Sequence, residues 1–178
     1  MTKRVLTVLS LSVLTAGCGE SGTEAVSSEA ATTTAMAVKP TEQASPTPRL
    51  ALSYDGGLLV LDAESLQQVA DIPVDGFVRL NSAANGRHVL VSQSDGFAVL
   101  DMGTWTARHG DHGHHYTAPP TLTDIRFGGA EPGHVVAHDG MLTLFSDGTG
   151  AVDVVDPAKL LKGGDTAARS ATVTAPHH

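Results

Sequence analysis

The stretch SYDGGLLVLDAESL, Ser53 to Leu66, returns as SQSDGFAVLDMGTW, Ser92 to Trp105. In each copy an Asp-Gly turn separates two short apolar runs, and the second run ends in an aspartate, Asp62 or Asp101. Asp-Gly between apolar runs is the strongest short-range hairpin signal, because these residues accept the positive φ that tight hairpin turns require. Asp55 and Asp95 lie 40 positions apart. A third copy, AHDGMLTLFSDGTGAVDVVDPAKL from Ala137 to Leu160, is longer by one hairpin and reaches its aspartate at Asp156. Short strands repeated at a period of about 40 residues are the mark of β-propeller blades. Helical periodicity is nowhere sustained, so the fold class is all-β.

Four strands per blade divide the second unit into FVRLNSA, RHVLVSQ, FAVLD and TWTAR. The third unit divides into LTDIRFG, HVVAH, MLTLF with AVDVVD, and SATVTA. About three blades over residues 49–178 are fewer than the four to eight that close a propeller. The expectation is an incomplete propeller, either the N-terminal part of a longer one or a truncated gene product. A small open β-sheet protein is the alternative. The aspartates that end the runs are expected to hydrogen-bond the turn that follows, and Asp55, Asp95, Asp139 and Asp147 to form turns.

Upstream of the blades the composition shifts twice. Residues 18–48 are rich in Ser, Thr, Ala, Glu and Pro and poor in large apolar side chains. Such a segment cannot bury enough surface to offset its ordering entropy, so it reads as a disordered tether. Residues 1–17 carry Lys3 and Arg4, the apolar run VLTVLSLSVL and then TAG before Cys18, the order of a secretory signal peptide. TAGC resembles a bacterial lipobox, which implies lipid attachment at Cys18 and anchoring to the bacterial cell membrane, although Thr15 stands where that pattern has Leu. Ordinary secretion is the alternative. Cys18 is the only cysteine, so the blades can form no internal disulfide and offer no thiolate. A net charge of −8, from 11 Lys plus Arg against 19 Asp plus Glu, argues against nucleic acid as a partner.

The chain has nine histidines, and four of them fall in RHGDHGHHYT: His109, His112, His114 and His115, with Asp111 among them. Imidazole is a common ligand of zinc, which accepts three or four N and O donors. In the four-strand scheme this stretch is a loop joining the second and third blades, with Gly110 and Gly113 letting it bend. His177 and His178 begin the equivalent joint after the third blade, and His138 sits at a turn on the same face of the disc. Together these residues could line the channel mouth. Each has a plainer reading as a polar loop or turn residue, and His88 and His134, on the other face, read as structural. No phosphate-cradling loop, zinc-protease helix motif or nucleophile elbow is present, so no catalytic residue is assigned.

HGDHGHHYTAPPTLTDIRFGGAEPGHVVAHDG and the later TAPHH resemble the AztD-type zinc metallochaperones, over about Arg49 to His178. That resemblance implies a secreted β-propeller that hands zinc to the solute-binding protein of a zinc ABC transporter. It also implies that His109, Asp111, His112, His114 and His115 form a mobile metal-collecting loop, and that His138 with His177 or His178 are ligands at the propeller mouth. Two other classes remain open on the residues alone. One is a metal-dependent propeller hydrolase, lactonase-like, and the other a surface interaction module whose histidines are incidental.

Overall fold

The computed structural model describes residues 38–162 and the backbone of residues 168–172. Its regular secondary structure is almost all antiparallel strand. The first sheet holds β2 (Arg49–Tyr54), β3 (Gly57–Asp62) and β4 (Gln68–Pro73) in that order. The second holds β5 (Arg79–Ser82), β6 (His88–Gln93), β7 (Gly96–Asp101) and β10 (Thr121–Phe127) in the order β10-β7-β6-β5. The third holds β11 (Pro132–His138), β12 (Met141–Ser146), β13 (Ala151–Val155) and β14 (Ala168–Thr172) in chain order, with a 3₁₀ turn over Pro157–Lys162 before β14.

Each Asp-Gly pair sits at a hairpin turn, as expected, although in the second hairpin the turn residues are Ser94-Asp95 and Gly96 opens the next strand. β2 and β3 pair with Tyr54 opposite Gly57, β6 and β7 with Gln93 opposite Gly96, and β11 and β12 with His138 opposite Met141. The aspartates behave as expected too. Asp62 Oδ1 accepts from the backbone N–H of Ser65 at 2.8 Å and from its hydroxyl at 2.7 Å. Asp101 Oδ1 accepts from the Gly103 N–H at 2.9 Å, and Asp156 Oδ1 from that of Ala158 at 2.9 Å.

The second sheet is the centre of a three-sheet stack, and the alternation along β7 shows how. Phe97 and Val99 face one way and pack with Leu90 against Leu142, Leu144 and Val155 of the third sheet. Ala98 and Leu100 face the other way and pack with Val91 against Leu58 and Val60 of the first. All four of these β7 side chains are fully buried. Four successive apolar residues in β7, Phe97 to Leu100, therefore follow from burial on both faces. Truncating Phe97 or Leu100 to Ala would cost about 2–5 kcal/mol through lost transfer energy and the cavity left behind.

Two sequence expectations need correction. TWTAR is not the outer strand of the second blade, because that place beside β7 is taken by β10, the segment expected to begin the third blade. The third sheet accordingly starts at β11. Thr104–His109 is instead β8, which pairs with β9 (His112–Thr117) in a hairpin of its own, and β1 (Thr41–Gln43) adds to the free edge of β9. The cause is local. Gly103 takes φ 64° directly after β7 and turns the chain out of the sheet. The chain returns at Ala118, whose N–H donates to the Gly103 carbonyl at 2.8 Å, and runs through Pro119 and Pro120 into β10. The second correction concerns the tether, expected through residue 48. Within the described part of that segment, residues 38–48, β1 forms and the Thr47 carbonyl accepts a 2.7 Å bond from the Thr104 hydroxyl, while residues 1–37, with the signal peptide and the rest of the tether, lie outside the described residues.

Candidate metal-binding hairpin

The histidine-rich stretch is thus a β-hairpin, not a loop. Its two-residue turn is Gly110-Asp111, with Gly110 at φ 59° in the first central position, where a glycine suits the turn that matches strand twist. Strand alternation then decides which histidines can act together. Residues directly opposite each other across an antiparallel pair share a face. His109 lies opposite His112, Ala107 opposite His114, and Trp105 opposite Tyr116. One face therefore carries Trp105, His109, His112, His114 and Tyr116. His115 belongs to the other face, where its Nδ1 lies 2.9 Å from the Thr106 hydroxyl.

Along the first face the imidazoles form a row. Ring centres of His109 and His112 are 5.7 Å apart, and those of His112 and His114 are 5.1 Å apart. Two imidazoles sharing a tetrahedral zinc ion through bonds of about 2.0–2.1 Å have ring centres roughly 5 Å apart. The row has the right spacing for that. Among the described residues no group of three or more His, Cys, Asp or Glu is drawn together tightly enough to grip an ion as placed, so closure calls for rotation of exposed side chains.

Carboxylates prepare two of the three rings. His114 Nδ1 lies 2.6 Å from Glu42 Oε1, reached from β1 across the sheet edge. An ionised carboxylate only accepts, so Nδ1–H is the donor and the Nε2 lone pair of the neutral ring is left for a ligand. His112 Nδ1 stands in the same relation to Asp111 Oδ1 at 3.1 Å, and that bond holds the Asp111 carboxyl below the usual range. A histidine whose second nitrogen is fixed by a carboxylate is the common form of a metal ligand. Glu42 was not foreseen, since it lies 72 positions away within a segment read as a tether. No signal in the sequence joins it to His114.

The base of the hairpin is held to the second sheet. Arg87 makes a two-pronged pair with Asp101, Nε to Oδ1 at 2.9 Å and Nη2 to Oδ2 at 2.6 Å, while its guanidinium lies 3.8 Å from the centre of the Trp105 ring. Trp105 in turn stacks on Tyr116 at 5.5 Å. Arg49 Nη1 donates to the carbonyls of Met102 at 2.6 Å and Ala118 at 2.8 Å, closing the two ends of the excursion together. His88 is buried beneath, its Nδ1 accepting from Asn85 Nδ2 at 2.9 Å, in the structural role expected of it. His138 stands apart at the β11–β12 turn, largely exposed, with Nε2 3.2 Å from Asp139. Cys18, His177 and His178 lie outside the described residues.

Fold and site together define a class: a stack of propeller-like antiparallel sheets carrying a row of imidazoles on a surface hairpin. The chain is 28% identical over 122 residues to the zinc chaperone AztD of Citrobacter koseri, a match covering 67% of this chain and 28% of that protein. It superposes on the crystal structure of Citrobacter koseri AztD with a TM-score of 0.62 and 25% identity, covering 73% of this chain and 35% of that one. The structure of apo AztD from the same organism agrees in fold, with a TM-score of 0.61. No protein-family profile matches the chain. The resemblance to AztD-type proteins therefore holds in sequence and in fold, with this chain spanning about a third of its relatives' length or less.

Proposed function

We propose that this chain is an extracytoplasmic zinc metallochaperone that collects zinc on the histidine hairpin and passes it to the solute-binding protein of a zinc ABC transporter. Zinc is cargo in this reading, and no residue is given a catalytic role. The observation that carries it is the row His109, His112 and His114 on one face, with Glu42 and Asp111 holding Nδ1 of two of the rings. Its likeness to a protein named a zinc chaperone supports the choice of metal. An exposed site built from imidazole and carboxylate can give up its ligands one at a time, which transfer requires and a closed four-cysteine site resists. Acylation at Cys18 would keep the domain at the cell membrane, close to a transporter.

Zinc titration by calorimetry and by competition with a chelating dye tests the proposal. The triple variant His109→Ala, His112→Ala, His114→Ala is expected to lose the zinc site while keeping its β-type circular dichroism. Unchanged affinity and stoichiometry would reduce the row to a polar surface. Mass spectrometry of the protein from membranes tests the anchor, with a lipid-modified N-terminal Cys18 expected and an unmodified N-terminus elsewhere contradicting it.

A further inference from the structure

A cavity of about 460 Å³ opens at the foot of the hairpin, between the connection from β1 to β2, the turn from β5 to β6 and the start of β8. That volume lies in the range of small-molecule sites, about 300–1,000 Å³, and is far more than a metal ion fills. Leu80, Val89 and Met102 form an apolar floor continuous with the core between the first and second sheets, and Leu50 adds a half-exposed apolar wall. The charged residues on the wall are Arg49 and Arg87. No aspartate or glutamate lines it, in a chain that carries 19 Asp plus Glu against 11 Lys plus Arg.

The two guanidinium groups differ. Asp101 takes up Arg87 through both of its oxygens. Among the described residues no carboxylate forms an ion pair with Arg49. Asp62 and Asp101 act on it only from further off, and its Nη1 is engaged by the carbonyls of Met102 and Ala118. Unpaired hydrogen-bonding groups point the same way. Among the described residues four buried side-chain polar atoms lack a partner, and three of them, Arg49 Nε, Asn81 Nδ2 and His88 Nε2, belong to residues of this wall. All three are N–H donors, since His88 accepts at Nδ1. Buried donors are costly to leave unpaired, and what this wall lacks is an acceptor. Arg49 and Asn81 are only part-buried, so a turn of either side chain presents its donor to the cavity. We infer that the cavity binds a small organic carboxylate with an apolar body, its carboxylate against Arg49 and Asn81 and its hydrocarbon on Leu50, Leu80, Val89 and Met102. This does not rest on the zinc reading, since none of His109, His112 and His114 lines the cavity.

Trp105 is the only tryptophan of the chain and lines the cavity, so its fluorescence reports on the site. The protein, carrying Cys18→Ser, is titrated with cyclohexanecarboxylate, with the neutral cyclohexanecarboxamide and with acetate. The carboxylate should give a saturable change. The amide, which lacks the charge, and acetate, which lacks the apolar body, should each bind at least about tenfold more weakly. Arg49→Gln should remove the preference for carboxylate over amide. Leu50→Glu places an acid on the exposed part of the wall and should weaken the carboxylate by at least about tenfold, with little effect on the amide. Circular dichroism checks folding, and because Arg49 also braces the hairpin, Leu50→Glu decides the matter if Arg49→Gln unfolds. No saturable response to cyclohexanecarboxylate, equal affinity for it and its amide, or full carboxylate affinity in Leu50→Glu would each overturn the inference.

Discussion

His88 is a buried histidine whose proton can be placed. Asn85 Nδ2 donates to its Nδ1, so the proton of the neutral ring is on Nε2, which lies 3.9 Å from Asp101 Oδ2, beyond hydrogen-bond reach. Burial, against the pull of Asp101 and together with the Arg87 charge, holds the His88 pKa below the usual imidazole value. The unfolded chain, with an ordinary imidazole near about 6.5, takes up this proton first as pH falls. The stability His88 contributes is therefore complete above that value and is lost as pH falls from there to its depressed folded value. Asp101 adds a loss of the same sign at lower pH. Its burial raises its pKa, but bonds from Arg87 and the Gly103 N–H outweigh burial and leave it below the ordinary carboxylate value. Urea unfolding from pH 8 to 5 should show stability falling on the acid side. His88→Gln should flatten that fall while costing about 1 kcal/mol at pH 8 through the disturbed Asn85 bond. Parallel pH profiles for the two proteins would contradict this assignment. At the same scale, Glu42→Gln should weaken zinc binding by about 10–100-fold, the usual effect of losing the carboxylate behind a ligating histidine. His115→Ala, on the opposite face, should leave the affinity unchanged. Equal losses in the two variants would mean that strand alternation does not govern the site.

At the scale of the element, the hairpin exists because Gly103 turns the chain out of the second sheet. A Cβ at Gly103 would run into the Ala118 carbonyl oxygen, and φ 64° is unfavourable to any other residue. Gly103→Ala should therefore destabilise the protein by about 1–3 kcal/mol, measured as a lower urea midpoint. A midpoint at the parent value would show that the turn can relax. The hairpin was half legible in the sequence. Gly110-Asp111 between TWTARH and HGHHYT is itself a two-residue turn signal, but a run of Gly, Asp and His is equally the composition of a polar loop. The four-strand count then demanded TWTAR for the second sheet. Which strand pairs with β7 depends on contacts far along the chain, such as Arg49 with Ala118, and no local pattern records them.

For the whole molecule, the repeat was the readable feature, because Asp-Gly turns and alternating apolar residues are local and are set by backbone conformation and burial. Sheet membership, the pairing of β1 with β9 and the partnership of Glu42 with His114 are non-local and were not. The histidines were visible as metal-type residues, but their division between two faces follows only once β8 and β9 are paired in register. The most direct test of the proposed zinc site reads all the rings at once: zinc titrated into the protein, followed through the side-chain nitrogen resonances of its histidines by NMR. His109, His112 and His114 should change together in their Nε2 signals, with His88 and His115 unmoved. A response confined to His138, His177 or His178, or spread over His115, would contradict the hairpin row as the place where zinc is held.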